Sequence, residues 1–495
     1  MFKKLVLIII LNLFSHIGLC QKEQNINTIE LSLENAIKIT SKESVYAQKH
    51  KETFMSSIWI NESFKSDLLP QISLSISPFT FNRSIVKQFV PSDSQFDYFE
   101  QSILNSNLSL NVEQNLTFSG GRVFLKSDFA RLENFGDAKS LAFSSAPILL
   151  GFNQPIFSFN ALKWGKIMEK QRFQISKKEY ISNMETTILE TVNLFFQLLE
   201  KQLDLSLYKN NYINSKRLYN LGEKRFELTT LNKAEMLTLK MEMINSKNNV
   251  SKAKLSHKAT MKRLLAHLDI SGKSELQLFI PETIFLTHID EEKALNLAKE
   301  NNPSYLNQRN DELTAEMQLD KAKKDNGFRA SVQASLGFNQ RAESIDQFYN
   351  DLLDQQRINV SINIPIIDWK KRKSEIRVAT HRKEIIKNNN IIERNTLEQE
   401  VIANTKIFNF QKNLLSDAKI TSAMAQEVYE INRKRFLLGK LDVNNLIISQ
   451  NRKDSAIRQY YKTLREYWQK YYLLRKLTLY DFKENRLLIN DLTDF

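Results

Sequence analysis

Six histidines, His16, His50, His257, His267, His288 and His381, are the side chains of this sequence best suited to proton transfer or metal binding, and their spacing serves neither. None stands in an HExxH arrangement, which would place two imidazoles and a carboxylate on one helix face around a metal ion. Met241 and Met243 are close together but do not extend into a path for a soft metal. Gly120-Gly121 reads as a turn, because the GxxxxGKS/T spacing that cradles phosphate is absent. Serines are plentiful, yet nothing in their setting marks out a nucleophile. These observations argue against an enzyme and call for no cofactor and no metal.

The spacing that does carry information is basic, aromatic and apolar. Lys224-Arg225-Phe226-Glu227-Leu228-Thr229-Thr230-Leu231 and Lys434-Arg435-Phe436-Leu437-Leu438-Gly439-Lys440-Leu441 stand 210 residues apart, the offset that also separates Pro155 from Pro365. The chain is thus a tandem duplication. Proline breaks helix interiors, and none occurs in 156–280 or 366–495. From each proline to its phenylalanine the count is 71 residues, which as helix makes a rod of roughly 100 Å. Val401, Phe408 and Leu415 repeat at seven residues, and Ile181, Ile188, Val192, Phe195 and Leu199 form a similar seam, so these rods want partner helices. Gly439 can take the positive backbone angle that ends a helix. Thr229 holds the equivalent place in the first copy, with Gly222 seven residues earlier, so the two tips should differ in shape.

The elements that would position these tips begin with two opening helices, over residues 29–69 and 290–325. Between opening helix and rod lie alternating segments. Ile72, Leu74 and Ile76 interleave with serines, Leu108, Leu110 and Val112 with Ser109, Asn111 and Glu113, and Ile358, Val360, Ile362 and Ile364 with Asn359, Ser361 and Asn363. Such alternation puts one residue class on each face of a strand. Strands are expected near 71–82, 104–118, 121–132 and 146–157, and near 329–340 and 356–367. The first copy carries an insertion over 83–145, which either adds strands to a barrel or projects outside the cell. Four to six strands cannot close a membrane barrel, since the smallest use eight, so the sheet has to be shared between chains. A trimer giving four strands per chain would supply twelve.

The 495-residue chain carries a formal charge of +14. Lys3 and Lys4 precede an apolar run from Leu5 to Phe14, the pattern of a secretory signal peptide over residues 1–20. The one cysteine, Cys20, closes that segment; Leu19 before it disfavours lipidation and favours removal. Beyond it no apolar run of 18 residues exists, so a membrane crossing would need a barrel. Export from the cytoplasm makes nucleic acid a poor partner for the basic excess, and anionic lipid head groups or an acidic protein better ones. Lys163, Lys166, Lys170 and Arg172, and Lys370, Lys371, Arg372, Lys373 and Arg377, follow the two strand exits and suit either lipid head groups or a solvated helix start. Repeat one then spans 21–280, repeat two 281–480, and a tail 481–495.

The order of opening helices, the exits Gln154-Pro155-Ile156-Phe157 and Ile364-Pro365-Ile366-Ile367-Asp368, and the two Arg-Phe tips resembles the outer-membrane efflux family, the TolC-like channel-tunnels. The resemblance implies a fold that is mainly α with a shared transmembrane β-barrel, long coiled helical hairpins in two tandem repeats, and a homotrimer with a twelve-stranded barrel. It implies a passive outer-membrane conduit extending into the periplasm and serving tripartite efflux or type I secretion. Its partners would be a periplasmic adaptor and an inner-membrane pump of RND or ABC type. The family's adaptor-contacting tips fall here on Arg225, Phe226, Leu228 and Thr229 and on Arg435, Phe436, Leu438 and Gly439; these side chains could equally pack the turn. Family members narrow the tunnel with aspartates after the second tip, where this chain has Asn445 and Ile448, with Asp442 the nearest acid. The alternative from the residues alone is a secreted or periplasmic coiled-coil scaffold or adhesin with a small β cap.

Overall fold

The computed structural model describes residues 28–90, 94–135, 139–228, 231–270, 275–281, 288–347 and 351–488. The expected leader with Cys20 and the tip residue Thr229 lie outside them. In chain order the elements are β1 (Thr28–Leu31), α1 (Leu33–Glu43), α2 (Val45–Asp67), β2 (Gln71–Val90), β3 (Gln95–Leu116), β4 (Gly121–Asn134) and β5 (Ser140–Ile156). There follow α3 (Ala161–Glu227), α4 (Lys233–His267), β6 (Glu275–Leu278), α5 (Glu291–Asn301), α6 (Pro303–Asp325), β7 (Arg329–Ala342) and β8 (Leu353–Asn363). The chain closes with α7 (Lys371–Leu437), α8 (Val443–Thr478), β9 (Tyr480–Asp481) and β10 (Arg486–Leu487). Two compact units share these elements: 52–180 with 299–400, and 1–51 with 181–298 and 401–495. Each repeat contributes to both.

The first of these units holds a six-stranded antiparallel sheet in the order β2-β3-β4-β5-β7-β8. The insertion is therefore part of the sheet, and the expectation of four strands per chain is corrected to six. The strands also run longer than the alternation predicted, β2 reaching Val90 and β3 starting at Gln95. Serine, asparagine and aromatic residues replace strict alternation there, and the pairing with the neighbouring strand carries the ladder on. Register shifts fall between Ser77 and Thr80, Lys126 and Asp128, and Ser145 and Leu149. At the last of these the β5 backbone swings close to β7, and a Cβ on Gly337 would run into the carbonyl oxygen of Ile148. Only glycine admits that approach. Around the sheet's base the helix ends are tied by polar side chains: Trp164 Nε1 donates to Asp320 Oδ2 at 2.9 Å, and Asn390 Nδ2 to the Gln308 carbonyl at 2.9 Å.

Both opening helices break in two, which the periodicity did not predict. After α1 the backbone at Ser44 turns extended (ψ 149°), and the buried Ser44 hydroxyl donates to the Thr40 carbonyl at 2.6 Å while accepting from the Ala47 amide at 3.1 Å. One side chain thus satisfies groups from both helix ends. After α5 the break is Asn302-Pro303: proline disfavours helical backbone before it and suits the first helical position, and Asn302 caps α6. Residues 29–31, placed at the start of a helix by the sequence, instead belong to β1 and pair in parallel with β6.

In the second unit the rods' seams are the core. Val401, Phe408 and Leu415, and Ile181, Ile188, Val192, Phe195 and Leu199, are all buried, as their spacing predicted. Tyr467, Trp468, Tyr471 and Tyr472 fill the space beside them, with Phe408 and Tyr467 rings 5.2 Å apart. Arg475 lies buried among these rings and pairs with Glu185 at 2.8 Å and with Asp481 at 2.5 Å. Burial raises the Asp481 carboxyl, but the Arg475 charge and the Tyr471 hydroxyl outweigh it and hold it below the ordinary carboxylate range. A depressed carboxyl stabilises the fold above its unfolded pKa, and that contribution disappears as pH falls through the folded value. The thermal midpoint should therefore drop on acidification from about pH 6 to about pH 3, and Asp481→Asn should flatten that part of the profile in circular dichroism melts.

Candidate channel wall and helical tips

Register assigns every sheet residue to a face. One hydrogen-bonded row runs Ile72, Val112, Leu125, Leu150, Leu336 across five strands, and the row below it runs Val123, Phe152, Ala334, Ile358. Ile72, Leu125, Leu150, Phe152, Leu336 and Ile358 are exposed. The opposite face carries rows such as Ser73, Asn111, Lys126 and Arg122, Asn153, Gln333, Asn359. A bare apolar face backed by a polar one has no use in water, where it would be covered by a core. It is the pattern of a barrel wall with hydrocarbon outside and water inside. Among the described residues, no helix is long and apolar enough to cross a membrane.

Below the second strand exit stands one residue the sequence reading did not single out, Trp369, between the named exit and the named basic cluster. Ile366 and Trp369 are each 90% exposed, directly before the exposed Lys370 to Lys373 run. Tryptophan beside lysine at a strand end suits the membrane interface, where the ring and the charge meet different layers. The signal lay in the text as an apolar and aromatic step into the basic cluster.

At the tips the two copies are built alike and finished differently. Asp442 caps α8, its Oδ1 accepting from the Asn445 amide at 2.9 Å, while Asn445 Nδ2 donates to Oδ2 at 2.5 Å. These bonds hold the Asp442 carboxyl below its usual range. Asn232, 210 residues earlier, caps α4 through a reciprocal box with Glu235. The Asn232-x-x-Glu235 and Asp442-x-x-Asn445 spacings are helix-start signals legible in the sequence. Ile448 is half exposed one turn further on.

Of the paired phenylalanines, Phe436 is buried with Leu239, Tyr429, Val443 and Leu446, whereas Phe226 stays 38% exposed. Arg225 donates to the carbonyls of Phe436 at 3.3 Å and Leu437 at 2.8 Å, closing the open end of α7 from the other repeat. Arg435 is exposed, Gly439 takes φ +73° at the turn, and Leu228 and Leu438 are more than two-thirds exposed. Arg225, Phe436 and Gly439 thus build the turn, and Phe226, Leu228 and Leu438 remain exposed at its surface.

Above the tips a charged pair is buried. Lys453 Nζ lies 3.1 Å from Asp454 Oδ1 and 4.4 Å from the Tyr429 ring centre, and Asn211 Nδ2 donates to Asp454 Oδ2 at 2.5 Å. No group of three or more histidine, cysteine, aspartate or glutamate side chains placed to hold a metal ion occurs among the described residues. Removing the carboxylate would leave the lysine buried and unpaired, so Asp454→Ala should destabilise the second unit by about 3–5 kcal/mol, measurable as a lowered thermal midpoint and faster proteolysis near the tips.

No family model and no curated protein matches this sequence. Solved structures do match its fold. The outer membrane channel CmeC of Campylobacter jejuni aligns with a TM-score of 0.64 at 14% identity, over 90% of this chain and 85% of that one. The outer membrane protein VceC of Vibrio cholerae aligns at 0.60 and 10% identity over 90% and 95%. The MtrE outer membrane channel of Neisseria gonorrhoeae aligns at 0.59 and 11% identity over 90% and 88%. The chain has the mainly α channel-tunnel fold of these proteins, with helical hairpins and a strand region in two repeats.

Proposed function

We propose that this chain, having the fold of outer-membrane channels, is one subunit of a trimeric outer-membrane channel-tunnel that gives substrates a passive exit from a tripartite efflux or type I secretion system. The observation that carries this reading is the sheet: an exposed apolar face, a polar face behind it, and two free edges. Those edges suit each other. β2 offers Ile72, Leu74 and Ile76 on one face and Ser73, Ser75 and Ser77 on the other, and β8 offers Ile358, Val360 and Ile362 against Asn359, Ser361 and Asn363. The edge of one copy laid antiparallel on the other edge of the next continues both faces. A small soluble cap on a scaffold or adhesin would instead bury the apolar side.

The exposed Trp369 and the basic residues after both exits would rest at the inner leaflet's head groups. Arg225, Phe226, Leu228 and Thr229, with Arg435, Phe436, Leu438 and Gly439, would meet a periplasmic adaptor, itself served by an inner-membrane pump of RND or ABC type. Within that set the exposed apolar side chains supply contact area, and the buried and capping ones keep the turn in shape. Asp442, Asn445 and Ile448 would line the narrow end of the tunnel. There each Asp442 carboxylate is already engaged by Asn445, so three copies would present amides and a partly satisfied charge. Chemistry is not needed for this role, which is that of a conduit.

Replacing both Leu228 and Leu438 by aspartate should abolish export while leaving heat-modifiable trimers in the outer-membrane fraction; normal export by that variant would remove the docking role. In bilayer conductance recordings, millimolar divalent cations should block the channel weakly, and Asn445→Asp should strengthen the block. Strong block of the unaltered channel would contradict the constriction assigned here.

A further inference from the structure

We infer that the inserted hairpin, β3 with β4, crosses the membrane, so that three copies close a barrel of eighteen strands rather than twelve. The inference rests on the channel reading above and specifies the width of its pore. Its basis is where the hairpin lies. β3 and β4 separate β2 from β5 down to the level of Gln71 and Asn153, next to the helices, so no β2–β5 pairing exists beneath them. Val112 and Leu125 also occupy the second and third places of the five-strand apolar row, in register with Ile72 and Leu150. A hairpin projecting into water outside the cell would have no cause to continue that row.

The turn between them confirms the direction of travel. It takes only residues 117–120, with Gly120 at φ +74°, and it sits on the helix side: Asn160 Nδ2, just before α3, donates to the Thr117 carbonyl at 3.0 Å, and Gln154 Nε2 to the Ser119 carbonyl at 2.9 Å. The added strands also carry charge on the polar face alone at this level. Arg122 pairs with Glu113 at 2.6 Å and Lys126 with Asp128 at 2.9 Å, each partly exposed. Such pairs are costly against lipid and at ease in a wet lumen. Because barrel diameter grows roughly linearly with strand number, the mouth would be about 1.5 times as wide as that of a twelve-stranded barrel.

The test uses the full-length chain in outer membranes, with single cysteines added and the unaltered chain as the labelling blank. Leu110→Cys and Leu125→Cys report the apolar face of the inserted strands, Asn111→Cys their polar face, and Leu336→Cys and Asn359→Cys the two faces of the β7–β8 hairpin. A water-soluble maleimide should label Leu110→Cys, Leu125→Cys and Leu336→Cys more slowly than Asn111→Cys and Asn359→Cys, by about tenfold or more. Fast labelling of Leu110→Cys and Leu125→Cys with Leu336→Cys still protected would overturn the inference and leave the channel intact. Fast labelling of all three apolar-face sites would sink the channel reading itself. Native mass measurement of the extracted oligomer should give three copies, and two copies would reduce the barrel to twelve strands and refute the count.

Discussion

Backbone amides and carbonyls that meet hydrocarbon without a partner cost several kcal/mol each, and this sheet ends in two strands, β2 and β8, that have a neighbour on one side only. Much else follows from that constraint. On the proposed channel reading, an isolated chain in lipid would leave both edges unpaired, and copies of the chain would complete the sheet. The constraint explains why both edges alternate an aliphatic residue with serine or asparagine, since an edge that must join its counterpart has to match it on two faces at once. The antiparallel direction of the strands explains separately why the insertion is a pair: an odd number would bring the chain to α3 at the opposite end of the sheet.

The helical unit answers a different demand. Long amphipathic rods gain little from intrinsic propensity and depend on buried seams, and here Phe195, Phe408 and Tyr467 fill them completely. Several polar groups inside this packing are paired across helices: Thr191 Oγ1 lies 2.9 Å from both Thr40 Oγ1 and His267 Nε2, and Arg475 bridges two carboxylates. Such pairings fix which helices meet and at what height, because a slip by one turn would strand each group without its partner.

The seams, the tip phrases and the lower halves of the outer strands were legible in the sequence because each depends on one local period. Residues 401, 408 and 415 declare their burial by spacing, and 72, 74 and 76 their face by alternation. The breaks at Ser44 and Asn302 were less visible. Pro303 was there to be read, but Ser44 ends α1 through bonds to Thr40 and Ala47 that no propensity announces. β1 was hidden for another reason, as its partner β6 lies some 250 residues away and neither segment is long enough to show a period. At the tips, composition could not tell Phe226 from Phe436. In the structure Arg225 closes the end of α7 beside the Phe436 ring, which packs among Leu239, Tyr429, Val443 and Leu446, while Phe226 stays outside.

Helices α3 and α7 each contain 67 residues. One added residue in either would turn everything beyond it by about 100° and push it on by about 1.5 Å, carrying the seam away from its partners. Length variation in the rods of such a chain is thereby quantised to whole heptads, introduced in both repeats together. On the strand side the quantum is a hairpin, and a single repeat can accept it. The number of strands can therefore change without any change in the length of the helices.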